Sequence, residues 1–185
     1  MKAKRTLVPV LLLLLALAAA GLFALRDAAM LYHGPVTEGA QEYYVNSLSR
    51  RAFAGSWLWD GDPDHMTVTV PDSVDGVAVT ALGGYYGRGV PVRFGVTLPE
   101  AYRSTLEPSP DIPLAEELVF TVELGKSVTE IHAADTGYDT VAVGTGAAVA
   151  RYHVSYRYVC DAENPVFYAE DGVLYRRDDG RPALS

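Results

Sequence analysis

The chain has a single cysteine, Cys160, among its 185 residues. An internal disulfide is therefore impossible, and packing and hydrogen bonds alone must hold the fold. Cys160 falls at an alternating apolar position of an extended segment, which predicts a buried, inert thiol rather than a reactive one. Histidine is sparse too. His33, His65, His132 and His153 are scattered and form no H-x-x-H or H-E-x-x-H unit, so metal ligation has no motif behind it. There is no G-x-S-x-G elbow on which to anchor a hydrolytic triad, and no enzymatic activity or cofactor is expected. Positive charge is the other shortage: 15 Lys and Arg stand against 23 Asp and Glu. Four of the basic residues, Lys2, Lys4, Arg5 and Arg26, flank an apolar run near the start. From Asp27 onward 11 basic residues face 23 acidic ones, a net charge of −12. A surface so acidic repels phosphates and anionic headgroups, which argues against binding to DNA, RNA or a membrane surface.

What the chain does have near its start is hydrophobic length. Residues Thr6 to Leu25 carry no charge and are almost wholly apolar. About 20 residues at 1.5 Å rise suffice to cross a hydrocarbon core roughly 30 Å thick. Lys2, Lys4 and Arg5 precede the run, so the positive-inside rule places the N-terminus in the cytoplasm and the C-terminal part outside. Residues 1–27 are thus expected to be a retained signal-anchor. A cleaved signal peptide is the alternative, since Ala18-Ala19-Ala20 offers a small-residue cleavage site and cutting after Ala20 would release a secreted protein.

Past this segment, 28–55 reads as a juxtamembrane stalk or linker. Within it Gln41 to Arg50 is expected to form a short helix, and Tyr43, Tyr44 and Phe53 to pack onto the domain beyond. From Trp57 the pattern turns to β. Val68 and Val70 alternate with Thr67 and Thr69, the period of a half-buried strand. Pro71 ends that strand, and Asp75-Gly76 supplies the positive φ angles of a tight turn. Val77, Val79 and Leu82 resume the apolar spacing before Gly83-Gly84. The pattern returns loosely in Val96-Thr97-Leu98-Pro99. It returns again in Val119 to Ile131, where Gly125 and Lys126 stand in place of Pro71 and Asp72. Such a spacing, in the mid-to-upper twenties of residues, lies within the range of leucine-rich repeats. Glu107 to Pro113 reads as a loop leaving the stack. Arg151 to Cys160 is the cleanest strand, with Tyr152, Val154, Tyr156, Tyr158 and Cys160 on one face and Arg151, His153, Ser155 and Arg157 on the other. Asn164-Pro165 and Asp171-Gly172 then mark two turns.

Two stretches together resemble the BspA-type leucine-rich repeat. In the first, Val70-Pro71, Val74, Val77, Val79, Leu82-Gly83 and Tyr85 follow that family's series. In the second, Asn164-Pro165, Phe167 or Tyr168, and Asp171-Gly172-Val173-Leu174-Tyr175 match its closing motif. The two cover about 35 residues, and at most four units are present, where members of this family are commonly long arrays. The resemblance implies a mainly β fold: a short BspA-like leucine-rich-repeat solenoid over 56–185, with irregular loops, following an N-terminal transmembrane helix. It also implies a non-enzymatic, membrane-anchored extracellular module for adhesion or protein recognition on a bacterial surface. The partner would be a host protein or material of the cell's own envelope. A structural or regulatory subunit of a membrane complex in its own envelope is the alternative. With no LPxTG-like sorting signal near the C-terminus, the N-terminal helix is the expected anchor.

Three further patterns invite chemistry. Asp60, Asp62 and Asp64 have the spacing that opens an EF-hand loop, but His65 and Pro71 stand where that loop needs glycine and an acid, so a solvated turn is expected. Gly144-Thr145-Gly146 lacks the third glycine of a phosphate loop and is expected to be a simple turn. The loop Gly83 to Gly89 combines paired tyrosines with an arginine, a composition found at binding hot spots. Tyr85 is expected in the core in place of the family's phenylalanine, which leaves Tyr86 and Arg88 as the candidate binding residues.

Overall fold

The computed structural model describes residues 12–21, 28, 31–143 and 149–184. It is mainly β. A helix covers 12–21, and no helix among the described residues is long and apolar enough to cross a membrane. The flanks of the apolar run, with Arg26, lie outside the described residues, as do residues 144–146.

Two sheets face each other across the core. The first begins as an antiparallel meander of β1 (His33–Glu38), β2 (Gln41–Asn46) and β3 (Arg51–Leu58). The second contains β4 (Thr67–Val70), which belongs to a parallel ladder described below. β5 (Ser73–Val74) and β6 (Val77–Leu82) form a hairpin at Asp75 and Gly76, whose φ angles of 48° and 72° are those expected for an Asp-Gly turn. β6 then runs parallel to β3 in the first sheet. A second hairpin, β7 (Gly84–Tyr86) with β8 (Val90–Val92), lies over that sheet. β9 (Gly95–Thr97) pairs with the far end of β3.

β10 (Leu114–Leu124) runs parallel to β4, and after β11 (Glu130–Ile131) and β12 (Tyr138–Val143) the long β13 (Val149–Cys160) runs parallel to β10. Their registers align Val68 with Val122 and Tyr158, and Val70 with Leu124 and Cys160. Every second residue of these strands therefore enters the core in columns. Gly125 follows Leu124 where Pro71 follows Val70, the correspondence the sequence predicts. A β-carbon at Gly125 would lie 2.6 Å from Asp72 Oδ1, and that same oxygen accepts a hydrogen bond from the Ser127 amide at 3.0 Å. A second parallel column joins Leu82 to Ile131. The chain closes with the hairpin β14 (Phe167–Glu170) and β15 (Val173–Arg176), again turned by an Asp-Gly pair with φ angles of 51° and 83°.

Aromatic rings fill the space between the sheets. Trp57 meets Phe120 edge-on at 5.9 Å and Phe94 at 5.5 Å, and Trp59 meets Phe120 at 5.3 Å. These rings, with Val70, Val79, Leu82, Leu98, Val122 and Leu124, form one continuous core. Cys160 is half-buried beside it, its Sγ donating to the Phe167 carbonyl at 3.5 Å. Burial pushes the thiol's pKa up, which disfavours the reactive thiolate.

Three expectations need correcting. The helix expected at Gln41 to Arg50 is strand β2 followed by a turn. β2 lies between β1 and β3 with both faces covered: Tyr43 and Val45 enter the main core, and Tyr44 enters a smaller cluster with Phe53 and Ala81. A strand covered on both faces shows no alternation, so its period is invisible in the sequence. The stretch read as a stalk consequently supplies β1, β2 and much of β3 to the first sheet. Val96 to Pro99 does not extend the ladder of β4 either, because β9 pairs with β3. Both sheets stay open, and no closed solenoid is seen among the described residues.

Candidate functional site

The first sheet turns one face to the core and the other outward. Alternation along β3 sends Ala52 and Ala54 inward and Arg51 and Phe53 outward. The parallel register sets Phe53 beside Ala81 of β6, and Ala81 beside Glu130 of β11. These outward residues, with His132 just past β11, form the floor and one wall of a groove of about 440 Å³. Tyr32 lies 5.1 Å from the Phe53 ring and continues the aromatic floor.

The hairpin β7–β8 makes the opposite wall. Its approach depends on two glycines. Gly83 has φ 64°, and a β-carbon there would overlap the Ala133 carbonyl. At Gly84 a β-carbon would come 2.7 Å from the Phe53 ring, so only glycine lets the hairpin settle onto the sheet. Tyr86, on the hairpin's packed side, is half-buried with its ring 4.9 Å from Tyr44, which stacks in turn on Phe53. Tyr85 points the other way, is 51% exposed and lines the groove.

Tyr85, expected in the core, is exposed instead, and it is Tyr86 that packs on the sheet. Neighbours in a strand face opposite sides, so only one of the pair can pack on Tyr44. Arg88 is exposed at the hairpin tip between Gly87 and Gly89, both with positive φ, and makes no ion pair among the described residues.

Charge enters the groove through three side chains that no motif announces. Arg51 Nη1 lies 3.4 Å from Glu130 Oε1, and His132 Nε2 lies 2.9 Å from Glu130 Oε2. Arg51 and Glu130 are 79 positions apart and meet only because β3, β6 and β11 run side by side. The result is an aromatic floor with a bridged cation–carboxylate–imidazole row at its edge. It can seat an apolar or aromatic side chain while the row offers both donors and acceptors to neighbouring polar groups.

The other candidate clusters are explained locally. Asp60 Oδ1 accepts from the Asp62 amide, Asp62 Oδ1 accepts from the Asp64 amide, and Asp60 Oδ2 bonds His65 at 2.7 Å. These carboxylates cap a turn, and no metal-binding cluster occurs among the described residues. His153 is half-exposed on the polar side of β13, and its Nδ1 bonds Asp139 at 2.7 Å. That bond, with Arg151 beside it, holds the Asp139 carboxyl below its ordinary pKa. Comparison with family models, curated proteins and solved structures finds no match.

Proposed function

We propose that the chain is a non-enzymatic protein-recognition module of BspA-like leucine-rich-repeat type, exported and held at the cell surface by its N-terminal apolar segment. The groove beside β7–β8 carries the reading. Exposed aromatic surface and a bridged charged row converge there on a sheet face that is otherwise packed, a combination typical of binding hot spots. Its companion is the parallel register of β4, β10 and β13, which stacks Val70, a residue of the family's series, with Leu124 and Cys160 as successive rungs of a repeat would be. Tyr85, Arg51 and Glu130 would make the principal contacts, with Arg88 at the rim. Tyr86 would hold the hairpin in place.

The test is a photo-crosslinking amino acid placed at position 85 of the full chain in its own cells, with position 171 on the far hairpin as control. A defined protein adduct from position 85 alone is the expected result. Adducts from both positions, or from position 171 alone, would remove the groove as the recognition surface. An adduct with one envelope protein at fixed ratio would make the chain a subunit of a membrane complex instead of an adhesin.

A further inference from the structure

A second site lies at the other end of the core, where the parallel ladder stops. The order of that sheet is β12-β13-β10-β4, so β4 is its last strand. The amides of Thr121 and Gly125 donate to the carbonyls of Met66 and Val70 at 2.8 and 3.1 Å. Residues 66, 68 and 70 therefore turn their backbone groups toward β10. Alternation turns the N–H and C=O of Thr67 and Thr69 the opposite way, to an edge that pairs with no strand among the described residues. A free edge is a template for another strand.

Along this edge runs a groove of about 530 Å³, lined by Thr67, Thr69, Tyr43, Trp57 and Trp59. Among the described residues five buried side-chain polar atoms have no hydrogen-bond partner, and two of them, Gln41 Oε1 and Trp57 Nε1, lie in the walls of this groove. The orientation of the Gln41 amide is fixed by its other end. Nε2 donates to the carbonyls of Glu42, Gly55 and Ser56 at 3.0, 3.0 and 3.1 Å, and a flipped amide would set oxygen against all of them. Native interiors hold few orphaned groups, so a donor and an acceptor left open in one groove wall are placed to meet an incoming polar chain. Glu38, Asp60 and Asp64 give the rim negative charge, against a single histidine, His65.

We propose that the β4 edge is a strand-addition site for an extended peptide segment bearing a basic side chain. The peptide backbone pairs with Thr67 and Thr69 as a further rung of the ladder. A lysine or arginine meets the Glu38, Asp60 and Asp64 carboxylates. The Gln41 and Trp57 side chains adjust to offer the orphaned acceptor and donor. A phosphorylated or nucleotide ligand is disfavoured by the same carboxylates, and a purely aliphatic one leaves the edge groups unpaired. This site shares no residue with the groove beside β7–β8, so either can fail without the other.

A displayed library of random linear peptides, selected on the full chain, tests the proposal. Enriched peptides are expected to alternate apolar and polar residues around a lysine or arginine. Made synthetically, they should change tryptophan fluorescence and slow amide exchange at Thr67 and Thr69. Thr69→Pro removes one edge N–H that β10 does not use and should weaken binding about tenfold or more. Methylating alternate peptide amides should abolish binding, and this decides the matter where Thr69→Pro does not fold. Tyr85→Ala should leave peptide binding unchanged. Failure to enrich any peptide, or protection confined to other strands, overturns the proposal. So does concentration-dependent self-association that Thr69→Pro abolishes, because the occupant is then a second copy of the chain.

Discussion

Two buried amides stand at opposite ends of the parallel ladder and are treated differently. Asn164, after β13, is 2% exposed and uses its whole side chain. Nδ2 donates to the Gly125 and Val128 carbonyls at 2.9 and 2.8 Å, and Oδ1 accepts from the Val166 and Phe167 amides at 2.9 and 2.8 Å. It ties the turn after β13 to the rung before it, and the β14–β15 hairpin then seals that end with Phe167 and Leu174. Gln41, at the β4 end, is 4% exposed, and among the described residues only its nitrogen finds partners. One end of the core is finished by the chain itself. The other carries an open strand edge, an acidic rim and an orphaned carbonyl. The contrast is between the two amides: Asn164 is complete and Gln41 is not, while the Tyr158 hydroxyl beside the closing hairpin is buried without a partner among the described residues.

Asn164→Ala breaks the comparison most directly. It strands the buried Val128 carbonyl and Phe167 amide, each costing about 1–3 kcal/mol when unpaired, and the part-buried Gly125 carbonyl and Val166 amide, which cost less. With partial relaxation, a loss of about 4 kcal/mol in unfolding free energy is expected by urea denaturation. A loss under about 1 kcal/mol would mean that this end is not held by its amide. Arg177→Ala comes next. Arg177 Nε donates to the Asn164 and Phe167 carbonyls at 2.8 and 3.0 Å, bracing the same turn from outside. Because the side chain is exposed, a cost of about 1.5 kcal/mol is expected by the same measurement, with Arg177→Lys recovering part of it.

Gln41→Leu sharpens the contrast. It loses the Nε2 bonds but also removes the orphaned oxygen, and the two partly cancel, leaving a cost of about 1 kcal/mol. Gln41→Glu should be worse than Gln41→Leu, because a carboxylate oxygen would face the Glu42, Gly55 and Ser56 carbonyls. Were Gln41→Leu as damaging as Asn164→Ala, the two ends would be equivalent and the contrast would collapse. On the outer face of the first sheet, Tyr86→Ala should lower stability by about 1–2 kcal/mol through the lost packing on Tyr44. Tyr85→Ala should leave stability within about 0.5 kcal/mol of the parent, which thermal unfolding distinguishes.

The turns and the strand β4 were legible in the sequence, and the unfinished surroundings of the β4 edge were not. Asn164-Pro165, Asp171-Gly172 and Asp75-Gly76 act through their own backbone: an amide reaching main-chain groups nearby, and glycines at positive φ. The Asn164 Nδ2 bonds to Gly125 and Val128 are long-range and leave no signature. Its Oδ1 bonds to the Val166 and Phe167 amides and the glycine φ angles are local requirements and leave a local signature. The match of Gly125 to Pro71 was visible for the same reason. β2 was missed because burial on both faces erases alternation. The Arg51–Glu130–His132 row was missed because parallel pairing assembles it from distant strands. Gln41 carried no signal at all: one glutamine in an unremarkable run becomes informative only when the carbonyls around its nitrogen are known. Which of Tyr85 and Tyr86 packs was a choice of parity, which Gly84 against the Phe53 ring decides.

The smallest expected effect concerns the rim of the open end. Asp60 holds His65, chiefly through their side-chain hydrogen bond, so the imidazole pKa is raised above its ordinary 6.5. The Asp60 carboxyl is lowered below 3.8, first by the Asp62 amide and then by His65. A raised histidine contributes stability that is full below 6.5 and fades as pH rises through its folded value. A lowered carboxyl contributes stability that is present above 3.8 and fades as pH falls through its own folded value. The pair therefore acts most strongly between those limits, and weakly, because both groups are fully exposed to solvent. His65→Gln should flatten the dependence of the unfolding midpoint on pH between about 6 and 8 while leaving the Asn164 end untouched. An NMR titration of the His65 ring should show a pKa above 6.5. A value at or below 6.5 would mean that water rather than Asp60 holds the imidazole, and the rim would then present Asp60 as a carboxylate with its negative charge unpaired by His65 and open to an incoming basic side chain.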